Sequence, residues 1–242
     1  MKIVMAMPAY NEADGIVEFL EDIEEFLTVD LDYVVIVNDQ STDLTKSTIE
    51  TYQGLGGKIV LVTNERNQGH GPSFINAIYT ALSFNPDIVI TVDGDGQFRA
   101  ADIKEQLIYF QRAGLDVLEC VRTERTDPLF RKVITFSLRL FIYARTGSKP
   151  LDSNTPLRIY ESSVLRDLAS QLPANTLLPN LRFSALIRRA EISFEQRRIK
   201  SRQRRGISAG GSTWKAKREW LPSRRFILFC RSAVLELWRY PV

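Results

Sequence analysis

Thr91-Val92-Asp93-Gly94-Asp95-Gly96-Gln97 follows the apolar run Ile88-Val89-Ile90, and the fold is decided by how this stretch is read. A short β-branched run reads as a buried strand, and the change to Asp and Gly marks where it emerges into a loop. Two carboxylates separated by one glycine can turn toward one point, and the glycines permit backbone approaches that a Cβ would forbid. Mg²⁺ and Mn²⁺ take oxygen ligands and keep positions open for substrate phosphates. Asp93 and Asp95 therefore read as a metal–diphosphate clamp at a strand end. An acidic, glycine-rich turn with no ligand is the alternative that the stretch alone leaves open.

Working outward, residues 3–7, 33–37 and 58–62 are further near-continuous apolar runs, which with 87–92 predict four strands of a parallel sheet. Between them, residues 13–27, 44–52 and 73–84 read as helices; the first carries Ile16, Phe19, Leu20, Ile23 and Phe26/Leu27 on one face. Alternation of strand and helix with short connections predicts a doubly wound α/β sheet with right-handed crossovers. In such sheets ligands bind beyond the carboxyl ends of the strands. Asn11/Glu12, Asp39/Asp43, the 67–71 segment and Asp93 to Gln97 all fall at that rim.

Downstream, the sequence predicts a helix over 101–112, a strand over 116–121, a charged loop over 122–128 and an apolar helix over 129–143. A strand at 157–160, helices at 162–172 and 180–190 and a strand at 191–196 follow. The basic run 197–206 leads to a tail that mixes Trp214, Trp220, Phe226, Phe229 and Trp238 with Lys and Arg. The expected organisation is a nucleotide-binding half at 1–121, an acceptor-binding half of the same domain at 122–212 and an amphipathic tail at 213–242.

At 242 residues, 44% hydrophobic and 25% charged, the chain has the composition of a globular domain with a sizeable core. The net charge of +3 conceals an asymmetry: acidic residues crowd positions 12–43, and Arg and Lys dominate from 182 onward. The basic half is expected to meet something anionic. An interfacial helix on an anionic membrane surface suits the tail; a dimer interface or a packing helix is the alternative. Nucleic acid is not expected as a partner, because the acidic rim would repel its phosphates. Cys120 and Cys230 lie in apolar surroundings and in no metal-ligand or disulfide spacing, so buried thiols in a reducing compartment are expected. No apolar segment reaches the roughly 18 residues of a membrane span. The expected location is cytoplasmic, at the inner face of the membrane if the tail binds lipid.

The ordered motifs resemble those of the inverting family 2 glycosyltransferases with a GT-A (Rossmann-like) fold, in the branch that includes dolichyl-phosphate mannose synthases and other polyprenyl-phosphate glycosyltransferases. Pro8-Ala9-Tyr10-Asn11-Glu12 is similar to that family's opening motif beside the nucleotide. Asn38-Asp39-Gln40-Ser41-Thr42-Asp43 resembles its "DDxSxD" loop, with Asn38 in place of the first Asp. Asn67-Gln68-Gly69-His70-Gly71 resembles the glycine-containing loop under the donor, and Asp93 to Gln97 resembles "DADGQ". Asp152-Ser153-Asn154-Thr155-Pro156-Leu157-Arg158 is similar to an acceptor-side "DxxSGxR", with Pro156 replacing glycine. Gly206-Ile207-Ser208 fits the end of an "RxxGxS" segment, but Gln203 stands at its Arg position, and Arg202 or Arg205 would substitute only by a shift.

The resemblance implies a Mg²⁺- or Mn²⁺-dependent transfer of sugar from a nucleotide-diphosphate donor to a lipid-linked or membrane-borne acceptor. Asp93 and Asp95 would hold the metal. Pro8, Tyr10, Glu12, Asp39, Asn67, Gly69, Arg122, Arg125, Arg202 and Arg205 would bind the donor. Gln97 would orient the metal shell or the acceptor, or cap the next helix. Asp152 and Asp127 are the candidate bases, needed only if the acceptor is a neutral hydroxyl. Two other readings stay open: a soluble transferase acting on a saccharide hydroxyl, and a catalytically silent nucleotide-sugar-binding subunit. Asn38, Pro156 and Gln203 are the departures that leave room for the second.

Overall fold

In the computed structural model the residues described are 1–123, 136–137, 139–140, 142–144 and 146–200. Among them, seven strands form one mixed sheet: β1 (Ile3–Ala9), β2 (Tyr33–Asn38), β3 (Ile59–Thr63), β4 (Ile88–Thr91), β5 (Val117–Thr123), β6 (Arg158–Glu161) and β7 (Phe194–Lys200). Their order across the sheet is β3-β2-β1-β4-β6-β5-β7. All pairings are parallel except those of β6, which runs antiparallel to both β4 and β5. The helices are α1 (Ile16–Leu27), α2 (Thr45–Thr51), α3 (His70–Ser83), α4 (Ala100–Ala113), α5 (Ser162–Ser170) and α6 (Pro179–Ile187).

Alternation along the buried strands builds a core on each face of the sheet. Ile3, Met5 and Met7 of β1 and Val34 and Ile36 of β2 join Ile16, Phe19, Leu20 and Ile23 of α1 and Ile103 and Leu107 of α4. Val4, Ala6, Val35 and Val37 meet Phe74, Ile78 and Leu82 of α3, with Leu165 and Leu168 of α5. Each such large apolar side chain contributes about 2 kcal/mol by leaving water. α4 ends at Gly114, whose left-handed conformation (φ +61°) closes the helix. α5 begins where the Glu161 carboxylate accepts a bond from Val164 N at 3.1 Å.

Two elements depart from the sequence expectation. α3 starts at His70 rather than 73, because the N–H groups of a first turn need no intrahelical acceptor and Pro72 is tolerated there. β7 continues to Lys200, through the beginning of the basic run, instead of stopping at 196. Among the described residues it is an edge strand paired only with β5, so charged side chains can alternate outward while Ile199 is buried. The Arg197 guanidinium there lies 3.9 Å over the Tyr109 ring. The expected helix at 129–143 is seen in part, with helical backbone at 136–137, 139–140 and 142–144. Arg125, Asp127, Arg202, Arg205, Cys230 and the tail at 213–242 lie outside the described residues.

Candidate active site

Register places the ends of four strands side by side. Pro8 pairs with Val37, Ala9 with Asn38, Asn38 with Thr63 and Ala6 with Thr91, so the loops that follow β1 to β4 share one rim. A cleft of about 470 Å³ opens there. Pro8, Tyr10 and Glu12 enter it from the end of β1, Asp39 from the end of β2, Asn67 and Gly69 from the approach to α3, and Asp93 and Asp95 from the loop after β4. His70 and Ser73 of α3 complete the lining.

The glycines of the Asp93–Gln97 turn have separate reasons. A Cβ on Gly94 would stand 3.0 Å from Pro8 O, because this turn packs backbone against backbone on the end of β1. Gly96 adopts φ +64°, the left-handed region in which a side chain is strained. Asp95 is buried, and Gln97 donates to it twice: from its backbone N to Oδ1 at 3.2 Å and from Nε2 to Oδ2 at 2.7 Å. Gln97 thus orients an acidic side chain of the turn. Asp93 is more open and accepts a bond from His70 Nε2 at 2.9 Å.

Asp39 is 2% exposed, and its carboxylate ties down the neighbouring loop. Oδ1 accepts from Asn64 Nδ2 and Gln68 N, and Oδ2 from Gly69 N, each at 2.8 Å. Such charge-assisted bonds are short and strong, so the 67–69 backbone is pinned to the end of β2. Asn67 Nδ2 adds a bond to Asp39 O at 3.0 Å. Asp43 is a local brace: Oδ1 accepts from Thr45 N at 2.9 Å and also from the Thr45 hydroxyl. Asn38 uses its amide oxygen on Ser41, accepting from the backbone N at 3.2 Å and from the hydroxyl. Asn64, which the sequence reading passed over, bridges Asp39 and Ser73 from a buried position. Its signal was an amide placed immediately after an apolar strand.

On the far side of β4, Arg122 at the end of β5 meets Asp152 in the loop before β6. Nε lies 2.8 Å from Oδ2 and one terminal nitrogen 3.3 Å from Oδ1, and that nitrogen also donates to Asn154 O at 2.9 Å. Both side chains are nearly buried, at 10% and 6% exposure. Burial opposes the Arg122 charge, but Asp152, with Asp93 and Asp95 further away, raises its pKa above the ordinary arginine value. The carboxylate proposed from sequence as a base is therefore engaged by a guanidinium, and this pair feels the charge of the Asp93/Asp95 turn.

Beneath it lies a buried network that sequence reading did not find. Glu119 accepts from Arg158 Nε at 3.0 Å and from Arg188 at 2.7 Å, with both arginine side chains fully buried. Arg158 also donates to Asn180 Oδ1 at 3.2 Å and Asn180 O at 2.9 Å. The arginine that ends the acceptor-like motif is thus a strut in the core.

The donor chemistry of the turn fits a hard divalent cation. Asp93 and Asp95 offer carboxylate oxygens, and no group of three or more His, Cys, Asp or Glu forms a cage among the described residues. A site of that kind leaves its other positions to water and phosphate oxygens, as Mg²⁺ sites on phosphate substrates do.

A sheet whose strands β1 to β4 end in polar loops at one rim, with an acidic glycine turn among them, is the arrangement in which doubly wound α/β folds bind their ligands. Residues 5–171 match the model of glycosyl transferase family 2, and the chain belongs to that family. It is 31% identical over 193 residues to the undecaprenyl-phosphate 4-deoxy-4-formamido-L-arabinose transferase of Edwardsiella ictaluri, covering 78% of this chain and 58% of that protein. The chain therefore spans little more than half of that relative. With the UDP-N-acetylglucosamine–dolichyl-phosphate N-acetylglucosaminyltransferase of Methanococcus voltae it shares 25% identity over 189 residues, 71% of this chain and 74% of that one. Glucosyl-3-phosphoglycerate synthase from Mycobacterium tuberculosis, solved with Mn²⁺ and UDP-glucose, superposes with a TM-score of 0.61 at 16% identity, over 99% of this chain and 79% of that one. That likeness establishes the GT-A type of fold.

Proposed function

We propose that this protein is a metal-dependent, inverting glycosyltransferase that moves a sugar from a nucleotide diphosphate to a polyprenyl-phosphate acceptor at a membrane surface. One observation carries the reading: residues from four strand ends, Asp93 and Asp95 among them, line a single cleft beside the Arg122–Asp152 pair. The two relatives named for undecaprenyl-phosphate and dolichyl-phosphate support the acceptor class. Among the described residues no helix is long and apolar enough to cross a membrane.

Asp93 and Asp95 would hold Mg²⁺ or Mn²⁺, which neutralises charge on the departing diphosphate when bound. The loop pinned by Asp39 would present Asn67 and Gly69 to the donor, and Pro8, Tyr10 and Glu12 line the same cleft. Gln97 keeps the Asp95 carboxylate in place. Arg122 supplies positive charge on the acceptor side, held in position by Asp152. A lipid phosphate is already an anion, so attack on the anomeric carbon with inversion needs no proton acceptor, and Asp152 acts through Arg122.

The test is transfer from a panel of nucleotide sugars to undecaprenyl or dolichyl phosphate, with EDTA and with Mn²⁺ or Mg²⁺ restored. Asp95→Asn should lower the metal-dependent rate by about 10² or more. Undiminished turnover in EDTA would refute the metal reading. Transfer to a saccharide hydroxyl but not to a lipid phosphate would refute the acceptor.

A further inference from the structure

His70 is a polar residue of the cleft to which this chemistry assigns no role. It opens α3 directly after Gly69, which adopts φ +89° in a conformation suited to glycine. Its ring is restrained where Nε2–H donates to Asp93 Oδ1 at 2.9 Å and where the imidazole stacks on Phe74 one turn further along, with centroids 5.8 Å apart and planes inclined by 24°. Phe74 is in the core, so the stack ties an exposed ring to a fixed support. Asp93 is the more open acid of the turn, at 26% side-chain exposure, whereas Asp95 is buried and held by Gln97. Each carboxylate thus has its own clamp, Gln97 from the next residues of the turn and His70 from another element.

We propose that His70 is a positioning residue for the cation: by holding Oδ1 of Asp93, it fixes the plane in which that carboxylate meets the metal. The inference rests on the metal reading given above. Partners of this kind orient metal-ligating carboxylates, and their loss weakens metal binding by about 10–100-fold. The imidazole itself stays off the metal, because Nε2 remains protonated and directed at Asp93.

The experiment titrates the full chain with Mn²⁺ alone, followed by electron paramagnetic resonance, in wild type, His70→Ala and His70→Gln. His70→Ala should raise the Mn²⁺ Kd by about tenfold or more. His70→Gln, which restores an N–H donor of similar reach, should recover much of the loss. The His70 side chain is 51% exposed, so both variants should unfold near the wild-type Tm. The chain has one histidine, so ¹⁵N spectra contain a single imidazole, and its Nε2–H signal should persist on adding diamagnetic Mg²⁺. An unchanged Kd in His70→Ala, or loss of the Nε2 proton on Mg²⁺ binding, would overturn the positioning role while leaving the metal reading intact. Absence of Mn²⁺ binding in wild type would overturn both.

Discussion

Replacing Gly71 with alanine puts a methyl group where the loop between α5 and α6 already runs. The new Cβ would stand 2.5 Å from Leu177 O and 2.7 Å from Leu177 C, with Thr176 O closer still. All three are backbone atoms, so no flexible side-chain end can swing away. Ordinary contact lies near 3.5 Å, so the first turn of α3 and that loop must separate by about 1 Å. Overpacking of this kind costs roughly 3 kcal/mol at the upper end of its range. Alanine recovers about 1 kcal/mol of helix propensity, leaving a net loss of about 2 kcal/mol. For a chain of this size, the loss lowers Tm by about 4–8 °C. The same displacement carries His70 away from Asp93, where a 2.9 Å bond does not survive a shift of that size, so the Mn²⁺ Kd should rise together with the fall in Tm. Calorimetry and an Mn²⁺ titration read the two effects. Gly114→Ala is the control, with φ +61° and nothing within 4 Å of its Cβ. It should cost about 1 kcal/mol by backbone strain and leave Mn²⁺ affinity unchanged. A Gly71→Ala protein with a Tm within about 1 °C of wild type would show that the loop yields freely, and would refute the reasoning.

Further outcomes follow from the buried charges. Glu119→Gln leaves Arg158 and Arg188 buried without their carboxylate and should cost about 3–5 kcal/mol, read as a lower urea midpoint. Asp152→Asn and Arg122→Met should reduce transfer by similar factors, because the residues act as one unit. A base role for Asp152 would instead make Asp152→Asn the worse variant by about 10² or more. Burial pushes the Cys120 thiol up from 9.0 to about 12 and raises the Tyr160 phenol as well. Above pH 9 the unfolded chain sheds protons that the folded chain keeps, so stability is full below that pH and falls as pH rises toward 12. The slope from Cys120 approaches about 1.4 kcal/mol per pH unit. A Tm that stays flat from pH 8 to 10.5 would contradict this.

The first half of the chain was legible because physics writes it locally. Runs such as Val34-Val35-Ile36-Val37, buried on both faces, are apolar without interruption, and each ends where polar side chains begin. Position in a doubly wound sheet then gathers Glu12, Asp39, Asn67 and Asp93 at one rim without further information. What escaped depends on pairing between distant segments. Nothing local to Leu157-Arg158-Ile159-Tyr160 states that this strand enters antiparallel between β4 and β5, yet that register sets Arg158 opposite Glu119, to which Arg188 at the end of α6 also donates. Arg197 and Arg198 read as the start of a basic run beyond the strand, because edge-strand alternation shows only when the partner strand is known. Asp39 looked like a group for a ligand alone, while in the fold its carboxylate holds the backbone of Gln68 and Gly69.

The reversed direction of β6 has one more consequence. Because its first residue, Arg158, pairs with Thr91 and Glu119, the chain that departs at Thr123 re-enters the sheet beside its own point of departure. Cys120 N donates to Leu157 O at 3.0 Å, and Arg122 bonds to Asp152 and Asn154, so the two ends are latched at the neck. Whatever length of chain is inserted between such ends adds little closure entropy, since that term grows only logarithmically with loop length. A change of chain length between these ends that preserves Arg122 and Asp152 should therefore leave the register of β4, β5 and β6 unchanged.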